Sequence, residues 1–271
     1  VIFDPHCHLD DPELSPILEQ AVEKALSAGV SGALIPGYGP ERWPRQTELI
    51  LGQGRFSTWG AFGLHPWAVD PNRALEPQLA DLEKGWCQHA ERWGDRLKAI
   101  GEFGLDRSRH GEHVPMPLQQ RLFCWHLRRA EQTNLPLILH LVKADGAAMK
   151  LLSEGAPWQG VVHAFSSHQQ TVAGYAQLGL SFSYGSALLR SDKVREALRA
   201  TAEDRMMFET DAPQGLGQDF SSPRGPHHLL EIVRAASQVL GKSVEYLLAR
   251  HRENCARVFA VGSDELAADH G

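Results

Sequence analysis

Val1-Ile2-Phe3-Asp4-Pro5-His6-Cys7-His8 opens the chain with a short apolar run followed by two histidines one residue apart. Alternate side chains of an extended segment share a face, so both imidazoles point to one side and begin a metal site. Four further candidate ligands each follow an apolar run: Glu102 after Leu97 to Gly101, His140 after Leu135 to Leu139, His163 after Gly160 to Val162, and Asp211 after Met206 to Thr210. In a barrel of parallel strands the C-terminal strand ends converge on one face and gather distant residues into one cup. The recurrence of chemistry at the ends of apolar runs therefore predicts that fold.

The rest of the chain supplies the expected βα alternation. Eight strands are predicted, at Val1 to Asp4, Gly32 to Pro36, Thr58 to Gly63, Lys98 to Gly101, Leu137 to His140, Val161 to His163, Leu180 to Ser183 and Met206 to Glu209. Helical spacing of apolar residues marks Glu13 to Ala28, Met116 to Thr133, Ala144 to Glu154, Gln169 to Gln177 and Ser191 to Ala202, then His227 to Leu240 and Ser243 to Phe259. The Gly/Pro/Ser-rich stretch Pro213 to Gly225 is long for a connector and is a candidate active-site loop. A length of 271 residues suits one α/β barrel of the (β/α)8 TIM type, which needs about 250. We expect a single domain over 1–261, with 262–271 a flexible tail.

Composition excludes several classes. No apolar run approaches the roughly 18 residues of a membrane span, and no basic segment leads into an apolar stretch as in a signal peptide. Four cysteines, Cys7, Cys87, Cys124 and Cys255, form no CxxC pair; they are expected to be reduced, small and buried, in a cytoplasmic protein. A net charge of −6 argues against sequence-independent tight binding along a polyanion, although a local basic patch is compatible with it. Fourteen histidines are what a multi-histidine metal site with polar rim residues would produce. No long heptad or exposed apolar stripe calls for a protein partner, so a monomer is expected.

Four histidines, a glutamate and an aspartate suit two adjacent divalent ions, with imidazole favouring zinc and carboxylate also serving Mg²⁺ or Mn²⁺. The spacing assigns His6 and His8 to one ion, His140 and His163 to the other, Glu102 as the bridge, and Asp211 to the first ion beside a shared water. HxH alone is a weak signal, because a single strand-end histidine is more often structural. The six together make a strong signal for a metal site.

Asp4-Pro5-His6-Cys7-His8-Leu9-Asp10, Gly101-Glu102-Phe103-Gly104-Leu105-Asp106, His163-Ala164-Phe165-Ser166 and Glu209-Thr210-Asp211-Ala212-Pro213 resemble, in order, the signature blocks of the TatD family of metal-dependent deoxyribonucleases. The resemblance runs to about Phe259, and includes Gly63-Leu64-His65-Pro66-Trp67 and Asn254 to Phe259. It implies an amidohydrolase-like TIM barrel, two divalent ions, DNA as substrate, and the same six metal ligands. Departures are Arg107 after Gly104-Leu105-Asp106, Ala164 and Ser167 in the His163 block, and Arg224-Gly225-Pro226 in the last loop. All lie on the substrate-facing side.

The sequence thus leads to two-metal phosphodiester hydrolysis, exonuclease-like, on single-stranded or frayed ends. Asp211 and Glu102 are the candidate catalytic carboxylates. His65 either meets the phosphate or packs the rim, and Glu209 either steadies a histidine or pairs with an arginine. Trp67 either stacks on a terminal base or packs on its loop. Arg107, Arg109, His110, His113 and Arg224 either meet flanking phosphates or are simply solvated. Two rivals share the pattern: a barrel hydrolase acting on a C–N or C–O bond, and a non-catalytic scaffold that retains its metals. Glu102 leans against the first, since many amidohydrolases bridge with a modified lysine.

Overall fold

The structure is a computed structural model that describes residues 2–155, 157–216, 220 and 224–261. Eight strands, β1 (Ile2–Asp4), β2 (Val30–Ile35), β3 (Ser57–Phe62), β4 (Leu97–Asp106), β5 (Leu137–Val142), β6 (Gly160–Val162), β7 (Leu180–Tyr184) and β8 (Met206–Phe208), form one sheet in sequence order. Every adjacent pair is parallel. Helices α1 (Leu18–Ser27), α2 (Trp43–Leu51), α3 (Leu75–Gln88), α4 (Met116–Thr133), α5 (Asp145–Leu152), α6 (Gln169–Gln177), α7 (Asp192–Ala200), α8 (Leu229–Leu240) and α9 (Val244–Phe259) lie between and after the strands. This is the (β/α)8 barrel expected from the sequence. The expected C-terminal tail, 262–271, lies outside the described residues, as do Val1 and six of the thirteen residues of the Pro213 to Gly225 loop.

Two helices escaped the sequence reading because polar or small residues occupy their inner faces. In α2 the buried Gln46 donates to the carbonyls of Ile35 and Ala61, at 2.9 Å each, and so ties two strand ends together. In α3, Gly85 faces Trp43, whose ring would lie 2.2 Å from any Cβ added there. Neither position carries the apolar residue that periodicity looks for.

Strand β4 is longer than expected and corrects one premise. It continues through Glu102 to Asp106, with a register irregularity between Ile100 and Phe103, and β5 runs two residues past His140. Glu102 and His140 therefore sit within strands, not at their ends. The backbones pass so closely that a Cβ on Gly104 would lie 1.7 Å from the His140 carbonyl. A glycine at that point is what lets β4 extend beside His140 and carry Asp106 up to it.

The last gap, between β8 and β1, closes by other means. Beyond the strand ends Cys7 bridges Ala212, His8 N–H donates to Ala212 O at 2.9 Å, and Asp211 N–H donates to His6 O at 2.9 Å. Lower down, the buried imidazole of His251 on α9 stands between the strands. Its Nδ1 accepts from Phe208 N–H at 3.2 Å and its Nε2 donates to Phe3 O at 2.7 Å. Asn254, in the same helix, donates to the carbonyls of Met206 and Glu203. Val258, Phe259 and Val261 then plug the barrel floor against Phe3, Leu34, Trp59, Ile138 and Met207.

A second buried histidine, His126 on α4, accepts from Leu64 N–H through Nε2 and faces Leu122 O through Nδ1. Burial pushes His251 down to about 4 and His126 down to about 3, against about 6.5 in an unfolded chain. Between those values the unfolded chain binds more protons, so stability is full above about pH 6.5 and is lost as pH falls toward about 4, by on the order of 3 kcal/mol per histidine. The thermal midpoint is expected to drop steadily between about pH 7 and pH 5, and less steeply in His251→Gln. An identical pH profile in that variant would remove His251 from the account.

The cysteines divide. All four are free thiols, but only Cys7 and Cys255 are buried; Cys87 is exposed and Cys124 half-buried. Cys87 lies off the face by which Gln78, Leu82, Gly85 and Trp86 anchor α3, which is why the expectation of burial fails there. No helix among the described residues is long and apolar enough to cross a membrane.

Candidate metal centre

The six residues singled out from the sequence converge at the C-terminal mouth of the barrel, around Glu102. Its Oε2 lies 3.2 Å from His6 Nε2 and 3.4 Å from His8 Nε2. Its Oε1 lies 2.9 Å from His140 Nδ1 and 2.7 Å from His163 Nε2. The carboxylate thus faces one histidine pair with each oxygen. Asp211 Oδ1 stands on the His6 and His8 side, 3.5 and 3.6 Å from their Nε2 atoms. Its side chain keeps 24% exposure against 1% for Glu102, so Asp211 is the carboxylate open to an incoming molecule.

Burial alone would raise the Glu102 carboxyl, but the imidazoles of His163, His65 and His6 outweigh it and hold it well below the usual carboxylate range. For Asp211 burial wins, and its carboxyl is pushed up.

Partners behind the histidines decide which nitrogen faces the cup. His163 presents Nδ1 to Glu209 Oε1 at 3.2 Å, and Glu209 also accepts from Ala164 N–H at 2.7 Å and from the Ser183 hydroxyl. His140 presents Nε2 to Asp106 Oδ2 at 3.0 Å, and Asp106 also accepts from Trp67 Nε1 at 2.7 Å. A carboxylate behind one ring nitrogen keeps the proton there and leaves the other lone pair for a cation. Glu209 therefore stands behind a histidine, and among the described residues it pairs with no arginine. Asp106 was not singled out as a site residue; its signal was its place in the Gly104-Leu105-Asp106 block, unread because β4 was expected to end at Gly101.

His65 is wired the other way. Its Nδ1 accepts from Trp67 N–H at 3.0 Å, so in the neutral ring Nε2 carries the proton and points at Glu102 Oε1, 3.3 Å away. Burial lowers it to about 4, which keeps the ring neutral. Distance alone groups His65 with Glu102 and His140 as a third ligand cluster. The proton on Nε2 makes it a hydrogen-bond donor to the cup instead.

The donor set fits divalent cations. His6 Nδ1 and Nε2, His8 Nδ1 and Glu102 Oε2 are buried without hydrogen-bond partners, and each such group costs about 1–3 kcal/mol unless something satisfies it. The groups His6–Glu102–His163 and His6–His8–Asp211 each bring their ligand atoms within 4.8 Å of one another, with the mixed nitrogen and oxygen character of zinc-type sites.

The cup opens into a cavity of about 460 Å³. Trp67 stands on its rim, 37% exposed, with its indole N–H tied to Asp106 and its ring 5.0 Å from that of His110. His110 lines the cavity; Arg107, Arg109 and His113 are exposed on the same loop and do not. Arg224 pairs with Glu13, which also accepts from Gln214. Tyr38, Arg42 and Asp11 line the cavity as well, and the sequence reading named none of them.

An eight-stranded parallel barrel with a buried, carboxylate-centred cluster of histidines at its C-terminal mouth defines a metal-dependent hydrolase. Residues 3–260 match the TatD related DNase family, and the chain belongs to it. It is 32% identical over 214 residues to the uncharacterized metal-dependent hydrolase YjjV of Escherichia coli, a match covering 78% of this chain and 79% of that one. It is 29% identical to the 3'-5' ssDNA/RNA exonuclease TatD of Pectobacterium parmentieri, over 95% of this chain and 99% of that one. The crystal structure of Escherichia coli YjjV superimposes with a TM-score of 0.84 at 25% identity, covering 96% and 98% of the two chains.

Proposed function

We propose that this protein is a two-metal nuclease that hydrolyses phosphodiester bonds in DNA, working from single-stranded or frayed ends. The observation that carries the reading is the Glu102 carboxylate, with one oxygen toward His6 and His8 and the other toward His140 and His163. His6, His8 and Asp211 would hold one divalent ion, His140 and His163 the other, and Glu102 both; Zn²⁺, Mg²⁺ and Mn²⁺ all suit this donor set. Bound there, such ions supply Lewis acidity toward a phosphoryl oxygen and lower the pKa of water.

The side chains supply the rest. Asp211, half-buried and the more open of the two carboxylates, takes the proton of the attacking water, which adds in line to phosphorus while the P–O bond to the departing sugar oxygen breaks and that oxygen takes up a proton from solvent. His65 offers its Nε2–H to a phosphoryl oxygen. Glu209 and Asp106 hold the His163 and His140 rings in the productive tautomer. Trp67 gives an exposed ring on which a terminal base stacks, worth about 1–3 kcal/mol. Arg107, exposed beyond the tip of β4, serves a phosphate farther along the strand.

A cavity of about 460 Å³ is in the size range of sites for single small ligands, roughly 300–1,000 Å³. It suits the end of one strand better than the middle of a duplex, and the name of the Pectobacterium exonuclease agrees with that preference. The test compares trimming of a linear single strand with nicking of closed circular duplex DNA. The reading expects the linear strand to be degraded far faster; equal rates would sink the preference for ends.

A further inference from the structure

We propose that Arg42 is a substrate-binding residue that holds the phosphate next to the one being cleaved, so that the site prefers substrates with at least two consecutive phosphates. The inference rests on the nuclease reading and adds the subsite that measures the length of the substrate.

Arg42 follows β2 and is the N-cap of α2, at the barrel mouth. It is the only lysine or arginine among the described residues that line the metal cavity. Its guanidinium is held on two sides. Nη1 lies 2.9 Å from Asp11 Oδ2, and Cζ sits 3.8 Å above the centre of the Tyr38 ring. Both supports are themselves fixed: Asp11 Oδ1 accepts from Glu13 N–H at 2.8 Å, and Tyr38 is stacked on His65 with ring centres 5.3 Å apart and planes 11° apart. The chain of contacts runs from Arg42 through Tyr38 and His65 to Glu102, so the cation stands one ring beyond the donor assigned to the scissile phosphate.

A guanidinium carries five N–H donors in a fixed fork, and the Asp11 pair engages one edge of it. Nε and Nη2 have no partner among the described residues. The Arg42 side chain is 17% exposed, so it is largely desolvated and already oriented, the condition under which an arginine binds phosphate well. Neutralising Asp11 alone would need only a point charge, and it would not call for a place in the wall of a cavity whose other lining residues, Gln214 and Gly215 apart, are histidines, carboxylates and aromatics. No motif marks this role, since Arg42 lies between β2 and α2, outside every family signature block.

The experiment compares two substrates of the metal-loaded enzyme: bis(4-nitrophenyl) phosphate, which has one phosphodiester and no neighbour, and a single-stranded oligonucleotide. Arg42→Gln should raise KM for the oligonucleotide about tenfold or more with kcat little changed, and leave both constants for the ester near wild type. Its oligonucleotide binding should also lose about 0.7 from the slope of log affinity against log salt, the share of one phosphate on a single strand. Arg42→Lys, which keeps the charge for Asp11 and loses the fork, should fall between the two, with thermal midpoint and metal content measured alongside. Wild-type enzyme gives a test free of any folding defect, since a dinucleotide with an added terminal phosphate should bind more tightly than one without it. Equal losses on ester and oligonucleotide would overturn the proposal, because Arg42 would then act by shaping the cup. So would an unchanged KM for the oligonucleotide. Wild-type enzyme that cuts the ester and no oligonucleotide would instead overturn the nuclease reading, and the subsite with it.

Discussion

Asp211→Asn is expected to leave the folded, metal-binding protein in place and to lower kcat by about a thousandfold, within the range for loss of an acid–base group. The fold should survive because Asp211 sits at φ 50°, in the left-handed region, which asparagine tolerates better than most residues. Asparagine also keeps the side chain's size, and the backbone bonds of Asp211 do not involve the carboxylate: its N–H donates to His6 O beyond β1, and its carbonyl accepts from Gly215 N–H in the turn that follows. What changes is basicity. An amide oxygen can still face a cation, but it cannot take a proton from water. A fall in kcat with KM held and circular dichroism unchanged is the expected pattern. Turnover within a few-fold of wild type would move the proton acceptor elsewhere, and turnover absent from wild type and variant alike would support a metal-retaining scaffold.

Glu102→Ala should act on the metals before it acts on the rate. The carboxylate contacts both histidine pairs, and it sits with 1% exposure at the centre of the cup. Removing it would take a ligand from each of the two proposed ion sites and take away the charge that offsets the surrounding imidazoles. Metal bound per chain, measured by elemental analysis after dialysis, should fall from two toward one or none, and activity by at least a hundredfold, as for loss of a single strong electrostatic contact, about 10²–10³. Full stoichiometry in Glu102→Ala would remove the bridge from the account. Glu102→Gln, nearly isosteric, separates loss of charge from the cavity that alanine leaves.

The candidate ligands were legible because each is an ionisable side chain placed directly after an apolar run, and parallel strands can bring such positions together only at one end. The place of Glu102 on a middle strand led to the expectation that it faces both histidine pairs, and its two oxygens do lie toward His6 and His8 and toward His140 and His163. What stayed hidden was whatever interrupts that pattern. Glu102 and His140 read as strand ends because each is the first ionisable residue after an apolar run and Gly101 looks like a turn, whereas β5 runs on through the apolar Leu141 and Val142 and the glycines of β4 let it follow. Asp106 was missed for the same reason. Helices α2 and α3 were unreadable because Gln46 and Gly85 fill positions where periodicity expects an apolar side chain. His251 and His126 gave no sign of their work, since an imidazole that stands in for a backbone partner has no motif. Arg107 and Arg224 drew notice by charge and loop position, while the arginine in the cavity wall, Arg42, lies in a segment with no recognisable block.

The most direct test follows an end-labelled single-stranded oligonucleotide exposed to metal-stripped protein resupplied with Mg²⁺, Mn²⁺ or Zn²⁺, with Asp211→Asn in parallel. The account predicts a ladder of successively shorter products that requires added metal and disappears in the variant. A protein that takes up its metals and leaves the oligonucleotide intact would contradict it, and would return the site to carbonyl chemistry or to a structural role.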